Sequence, residues 1–305
     1  MKAVAIWFRN DLRLHDNDTL NQAVRLVKNK IASYVLPVYC YDPRYFGKYA
    51  RSRQTGLPKT GIHRQRFVAE SLRDLRTSLR AIGSDLLVFE GRPENVFAQL
   101  LPRGSIIVTQ KEVTQEELNI DFLVKNAGFN LQTVWGLTMY HLSDIVGSRG
   151  WGQGAEFSSK TEMVVEFKKR GIEPRKCLPT PKHGDLPLPD TLGQNMDGNG
   201  ASADREKLYI MGRAQEPFLY DEATGERSVY DDKYTYKVDP RGVMGSSGLS
   251  AFGFGNKPGF RGGESAGLKR VSYYLPRLSG RYRATRLRDM LGAHCVQLSF
   301  LTRHP

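Results

Sequence analysis

The feature that most constrains the fold is an alternation of short apolar runs and helical segments over residues 1–145. Five runs rich in Val, Ile, Leu and aromatic residues have the length and composition of buried strands; they are 2–8, 33–40, 84–90, 105–110 and 130–136. Four segments between them repeat apolar residues with helical period. Strands that alternate with helices predict an α/β fold with a doubly wound, mainly parallel, five-stranded sheet.

Local signals also predict how the helices begin and pack. Asp18 is expected to cap the first helix, and Thr114, with Glu117 three residues later, is expected to form a capping box on the fourth. The second helix has a predicted apolar face of Phe67, Leu72, Leu75 and Leu79. Parallel sheets bind ligands beyond the carboxyl ends of their strands. We therefore expect a site among the loops 9–18, 42–61 and 111–117.

Regular patterning is much weaker after residue 145. Residues 183–262 hold 13 of the 30 glycines and show no apolar run of helical or strand period. The organisation predicted is an α/β domain over 1–145 and a linker with a flexible, partly disordered insertion over 146–260. A basic amphipathic pattern resumes near Gly262, so that 261–305 is expected to be the fragment of an α-helical domain.

Composition narrows the class of protein. The apolar runs are far shorter than the roughly 20 residues that span a bilayer, so we do not expect the chain to be an integral membrane protein. No targeting segment is apparent, which predicts an intracellular protein, cytoplasmic by default, with the nucleus and organelles as open alternatives. Three widely spaced cysteines favour neither a disulfide framework nor a metal site. The net charge of +13 indicates polyanionic partners such as nucleic acids or nucleotides.

Several motifs resemble one known family. The string IWFRNDLRLHDNDTL at 6–20 is similar to the N-terminal signature of the photolyase and cryptochrome family. TGLPKTG at 55–61, QKEVTQEEL at 110–118 and KCLPTP at 176–181 resemble segments of its DASH-type cryptochromes, in the same order. FRGGESAGLKRVSYYL at 260–275 and YRATRLRDMLGA at 282–293 resemble the opening helices of the family's flavin domain. Residues 261–305 are thus expected to be a truncated start of that domain.

The resemblance implies a blue-light flavoprotein that uses FAD and a folate-type antenna, 5,10-methenyltetrahydrofolate. The family's role is light-driven repair of cyclobutane pyrimidine dimers in DNA, or photoreception. Tyr282 and Arg283 match part of the flavin site, but the family's phosphate-binding loop has no counterpart after 282–293, where the chain reads HCVQLSFLTRHP. We therefore expect this chain to bind flavin weakly or not at all and to lack repair activity. No catalytic residue and no metal ligand is identified.

Two groups of residues are candidates for binding. Glu112, Gln115 and Glu116 could meet a pterin's paired donors and acceptors, since the family's antenna lies near the segment after the fourth strand. Glu116 and Glu117 would, however, also favour a helix N-terminus without any ligand. A nucleic-acid surface is predicted from Lys269, Arg270, Arg281 and Arg286, although a solvated helix face has the same pattern.

Two functional interpretations remain. The first is the α/β antenna domain of a DASH-type cryptochrome or photolyase relative. The second is a non-enzymatic module in which an α/β domain binds a nucleotide or a protein partner. Bound pigment would distinguish them, because only the first predicts a coloured protein.

Overall fold

The computed structural model describes residues 3–138, 140–146, 157, 159–190, 203–221, 226–229 and 262–274. Its centre is one five-stranded sheet with the order β3-β2-β1-β4-β5. The strands are β1 (Ala3–Phe8), β2 (Tyr34–Tyr41), β3 (Leu87–Glu90), β4 (Ile106–Gln110) and β5 (Asn130–Val134). All four neighbouring pairs are parallel. The predicted doubly wound α/β fold is confirmed.

Helices cover both faces of this sheet. They are α1 (Asp18–Lys28), α2 (Ile62–Ala81), α3 (Pro93–Leu100) and α4 (Gln115–Asn126). Alternate residues of β1 point to opposite faces: Val4, Ile6 and Phe8 join the core under α1 and α2, whereas Ala5 and Trp7 join the core under α3 and α4. Burial on both faces explains why β1, β2 and β4 are nearly continuous apolar runs, whereas the edge strand β5 is partly exposed.

Three local predictions are wrong in detail. Asn17, rather than Asp18, caps α1, because its side-chain oxygen accepts from the Leu20 N–H at 3.1 Å. The capping box on α4 does not form: the Thr114 hydroxyl donates to Glu117 Oε2 at 2.7 Å instead of accepting from the backbone. Phe67 is half-buried, and Val68 takes its place in the core face of α2.

Further elements follow the sheet: α5 (Leu142–Val146), α6 (Lys160–Lys169), α7 (Ala203–Ala214), the antiparallel pair β6 (Phe218–Tyr220) and β7 (Arg227–Val229), and α8 (Glu264–Tyr274). The expectation that 183–262 lacks regular structure is wrong for α7, β6 and β7. Tyr209 of α7 and all three residues of β6 are buried. None of the described helices is long and apolar enough to cross a membrane.

Contacts distant in sequence hold α7 in place. A Cβ atom on Gly212 would lie 2.3 Å from the Phe89 ring, so only glycine allows this close approach. Arg76 of α2 is 3% exposed; its guanidinium donates to the Leu86 carbonyl at 2.7 Å and faces Asp85 at 3.6 Å. These partners are remote from α7 in the chain, which explains why local periodicity did not reveal the helix.

The segment 178–190, which has no helix or strand and turns at 183–186, contacts the first half of β2. The register of β3 on β2 begins only at Val38, which leaves the first half of β2 without a strand on that side. There the Val35 N–H donates to the Pro187 carbonyl at 2.8 Å. At the other end of the segment, the Leu178 N–H donates to Asp16 Oδ1 at 2.9 Å. The segment is thus anchored to the α/β domain near both of its ends, and the Gly184 N–H also donates to the Ile82 carbonyl at 3.2 Å.

Candidate ligand-binding site at the carboxyl edge of the sheet

The strand order reverses between β1 and β4, and we name the region beyond the carboxyl ends of these two strands the crevice. The chain moves from β1 through β2 to β3 on one side and then returns to build β4 and β5 on the other. The connections after β1 and β4 therefore lead to helices on opposite faces of the sheet, and ligands of open α/β sheets bind at such a position. Beyond the carboxyl ends of the two strands, the loop 9–17 contacts the loop 111–114 through Asn10 and Glu112.

A buried carboxyl and an amide join the two loops. Asn10 Nδ2 donates to Glu112 Oε1 at 2.9 Å, and Arg64 Nη2 donates to Asn10 Oδ1 at 3.3 Å. Glu112 is only 5% exposed. Burial raises the pKa of Glu112 to about 7, although the hydrogen bond from Asn10 acts in the opposite direction. This carboxyl can therefore accept or donate a hydrogen bond near neutral pH.

An ion pair fixes α4 beside the crevice. Arg9 Nη1 lies 2.7 Å from Asp121 Oδ1, and both side chains are less than a tenth exposed. The same guanidinium lies over the Trp7 ring, 4.4 Å from its centroid. Burial raises the pKa of Asp121, while Arg9 favours its charged form. Because the two charged groups form an ion pair with each other, we assign the pair to positioning the site rather than to binding a ligand.

Tyr45 brings an unpaired polar group to the same edge. Its hydroxyl is buried and has no hydrogen-bond partner among the described residues. Burial raises its pKa to about 12, and the carboxylates of Glu117 and Glu116 act in the same direction. Lys59 Nζ lies 5.4 Å from the Tyr45 ring centroid and 2.6 Å from Glu116 Oε1. A buried donor without a partner is costly, and a ligand oxygen or nitrogen would satisfy it.

The structure separates the three predicted antenna residues. Glu112 lies in the crevice, paired with Asn10. Glu116 is exposed and pairs with Lys59, and Gln115 is exposed and donates to Asn119 on its own helix at 2.9 Å. Asn10, Tyr45 and Arg64 complete the site. The sequence indicated the loops of Asn10 and Tyr45 but not that Asn10 would pair with Glu112.

The remaining predicted site residues are only partly described. Lys269 is exposed on α8, and Arg270 belongs to the same helix. Arg281, Tyr282, Arg283 and Arg286 lie outside the described residues. Within the described ranges, no group of three or more His, Cys, Asp or Glu side chains could hold a metal ion.

The donors and acceptors of the crevice fit a flat heterocycle better than a phosphate. A carboxyl with a pKa near 7, an amide and a phenol hydroxyl lie along one edge of the sheet. Arg64 and Lys59 are exposed cations at its rim. Carboxyl and amide groups pair with the adjacent N–H and ring nitrogen atoms of a pterin-like ring, whereas a buried anion would face the Glu112 carboxyl.

Comparison with known proteins agrees with the fold and the motifs. The sequence model described as DNA photolyase matches residues 4–179. The blue-light photoreceptor PHR2 of Arabidopsis thaliana is 31% identical over 272 residues, which cover 80% of this chain and 58% of that protein. Cryptochrome DASH of Gloeobacter violaceus is 43% identical over 197 residues, covering 63% and 35%.

Structural similarity extends further along the chain. The crystal structure of a Synechocystis sp. cryptochrome aligns with a TM-score of 0.64 at 25% identity, covering 99% of this chain and 55% of that one. The chain spans about half, or less, of the length of the curated relatives it matches.

Proposed function

The chain belongs to the DNA photolyase family, among the DASH-type cryptochromes, and from this premise we propose that its α/β domain holds a folate-type antenna pigment. The observation that carries the proposal is the hydrogen bond of 2.9 Å from Asn10 to the buried Glu112, at the point where the strand order reverses. The family implies FAD and a second chromophore. The folate identity, 5,10-methenyltetrahydrofolate, is the specific part of our proposal.

Each crevice residue has a distinct role in this proposal. Glu112 and Asn10 would bind the ring edge, since a carboxyl and an amide together match adjacent donors and acceptors. The unpaired Tyr45 hydroxyl would supply one further hydrogen bond. Lys59 and Arg64 would face the acidic tail of a folate at the rim. The bound pigment would absorb light and pass the excitation energy to a flavin.

A second part of the proposal concerns the activities of the longer members of the family. We propose that it acts with FAD on DNA, either in light-driven repair of cyclobutane pyrimidine dimers or in photoreception. For this chain by itself, we propose the antenna role alone, without dimer repair and without stoichiometric flavin. In support, the crevice side chains identified in the described part of the chain, Asn10, Tyr45, Arg64 and Glu112, belong to the α/β domain.

Pigment retention tests the antenna proposal. The purified chain is incubated with 5,10-methenyltetrahydrofolate, passed through a desalting column and measured by absorbance. We expect bound pigment with the wild type. Asn10→Ala should weaken binding by about tenfold or more, since a hydrogen bond to a charged or strongly polar group contributes about 1.5–3 kcal/mol. The matched control is Asn119→Ala, which removes an exposed amide of α4 outside the crevice.

Other outcomes of the experiment are equally clear. Equal binding by wild type and Asn10→Ala would refute the assignment of the site. Failure of the wild type to retain pigment, together with retention of an adenine nucleotide, would favour the non-enzymatic nucleotide-binding module. A parallel incubation with FAD tests the second half of the proposal. Flavin retained at one molecule per chain would overturn it.

A further inference from the structure

Helix α8 docks on α2 through its own N-terminus. The Gly262 N–H donates to Glu70 Oε2 at 2.6 Å, and the Ser265 N–H donates to Asp74 Oδ2 at 2.9 Å. Glu70 and Asp74 are four residues apart on α2 and therefore share one helix face. The first N–H groups of a helix have no partner within that helix. Here Asp74 of another helix satisfies one of them, that of Ser265, while Glu70 binds the Gly262 N–H just before the helix begins.

Two glycines make this approach possible. A Cβ atom on Gly262 would lie 2.1 Å from the Phe67 carbonyl oxygen and 2.7 Å from Ser71 Oγ. Gly263 has a φ of +108°, and a Cβ atom there would lie 2.7 Å from the Asp74 Cβ. Any other residue would force α8 away from α2. The pair of glycines before Glu264 therefore serves the docking of this helix.

Glu264, the first residue of α8, forms a second contact, with the loop that follows β1. Its Oε2 accepts from the Leu14 N–H at 2.8 Å, and its Oε1 accepts from the His15 N–H at 2.9 Å. Both carboxylate oxygens are thus used by consecutive backbone amides. Hydrogen bonds to an ionised acceptor are about twice as strong as neutral ones. The contact ties α8 to a segment without regular secondary structure.

The same loop carries the residues of the candidate site. Arg13 donates to the His15 carbonyl at 3.1 Å and to the Asp16 carbonyl at 2.8 Å. Asn17 Nδ2 donates to the carbonyls of Arg13 at 2.9 Å and Asp11 at 3.1 Å. Asp11 Oδ1 in turn accepts from the Arg9 N–H at 3.2 Å. A continuous hydrogen-bonded network therefore joins the Glu264 contact to the residue that precedes Asn10.

We propose that Glu264 is a positioning residue for the candidate site: it couples the docking of α8 to the geometry of the loop that carries Arg9 and Asn10. Ligand bound at Asn10 and Glu112 and α8 docked on α2 should then stabilise each other, because such coupling is reciprocal. The ligand half of this proposal, in which the bound ligand and docked α8 stabilise each other, rests on the proposed function. The structural half, in which Glu264 couples α8 to the loop, is independent of it.

Amide hydrogen exchange of the full chain, without ligand, tests the structural half. In Glu264→Ala we expect exchange to accelerate about tenfold or more at Leu14 and His15, which lose their acceptor. If the loop is coupled, exchange also accelerates at Arg9 and Arg13, whose amides do not touch Glu264. Lys269→Gln, a change at an exposed position of the same helix, is the matched control and should leave all four amides unchanged.

The outcomes separate coupling from a local contact. Acceleration confined to Leu14 and His15, or no acceleration, would overturn the proposal. Recovery of protection in Glu264→Asp would support it, because that variant keeps a carboxylate. In the wild type, 5,10-methenyltetrahydrofolate should slow exchange at Gly262 and Ser265. If that pigment does not bind at all, the proposed function fails, while the ligand-free comparison still decides the coupling.

Discussion

Replacement of Glu112 by Gln should stabilise the protein in a pH-dependent manner. The pKa of Glu112 rises from 4.5 to about 7 because the carboxyl is buried. Burial therefore favours the protonated form, and ionisation at higher pH costs folding free energy. Glutamine imitates the protonated carboxyl and retains an oxygen that can accept from Asn10. The Glu112→Gln variant avoids the cost of ionisation.

The magnitude follows from proton linkage. Below about pH 4.5 the carboxyl is protonated in both the folded and the unfolded wild type, so the variant has no advantage. As pH rises from 4.5 to about 7, the unfolded state ionises first and the wild type loses stability. Each tenfold difference in proton affinity is worth about 1.4 kcal/mol, so the variant should be more stable by up to about 3 kcal/mol at pH 8.

Urea unfolding at pH 5 and pH 8, followed by far-UV circular dichroism, measures this difference. The matched control is Glu116→Gln, because Glu116 is an exposed carboxylate that pairs with Lys59 at the same edge of the sheet. Surface ion pairs contribute about 0–1 kcal/mol, so the control should be neutral or slightly destabilised at both pH values. Equal effects of Glu112→Gln at the two pH values, or destabilisation at pH 8, would refute the reasoning.

Three further predictions concern stability and nucleic acid. Arg76→Met should lower the free energy of unfolding, measured by urea denaturation, by about 2–4 kcal/mol, because the Leu86 and Gly212 carbonyls lose a buried donor. An unchanged urea midpoint would contradict the docking of α7 on α2 and β3. Tyr45→Phe should leave the free energy of unfolding unchanged or raise it by about 1 kcal/mol, since the hydroxyl has no partner among the described residues. A clear loss of stability would show that the hydroxyl has a hydrogen-bond partner. If the basic segment 257–305 binds DNA through phosphates, its affinity for DNA should fall steeply as the salt concentration rises and be equal for plain and dimer-containing oligonucleotides. A Lys269→Gln and Arg270→Gln double variant should bind DNA more weakly. Salt-insensitive, dimer-selective binding would contradict this expectation.

Local periodicity was sufficient to predict the sheet and its four main helices. Strands β1, β2 and β4 are buried on both faces, so their apolar runs are visible without knowledge of their neighbours. The cap of α1 required structure, because Asn17 and Asp18 both suit an N-cap. Asn17 takes the position while its amide also donates to the carbonyls of Asp11 and Arg13. Residue type alone cannot decide between two capable neighbours.

The candidate site was predicted only in part for a related reason. Glu112 belongs to a motif directly after β4, and its position at the sheet edge follows from the strand pattern. Asn10 and Tyr45 come from two other loops, and their convergence depends on the strand order β2-β1-β4. The burial of α7 depends likewise on Phe89 and Arg76, which are distant in sequence. Such long-range pairings leave no local pattern.

The contact between segment 178–190 and β2 has a consequence for aggregation. An open strand edge offers a row of free N–H and C=O groups to which strands of other molecules can add, and this is a common start of aggregation. The segment uses part of the edge that β3 leaves free, because the Val35 N–H donates to the Pro187 carbonyl. Its prolines have no N–H with which to recruit a further strand; they are Pro179, Pro181, Pro187 and Pro189. At Val35, the segment therefore occupies a backbone donor that a strand of another molecule could otherwise use.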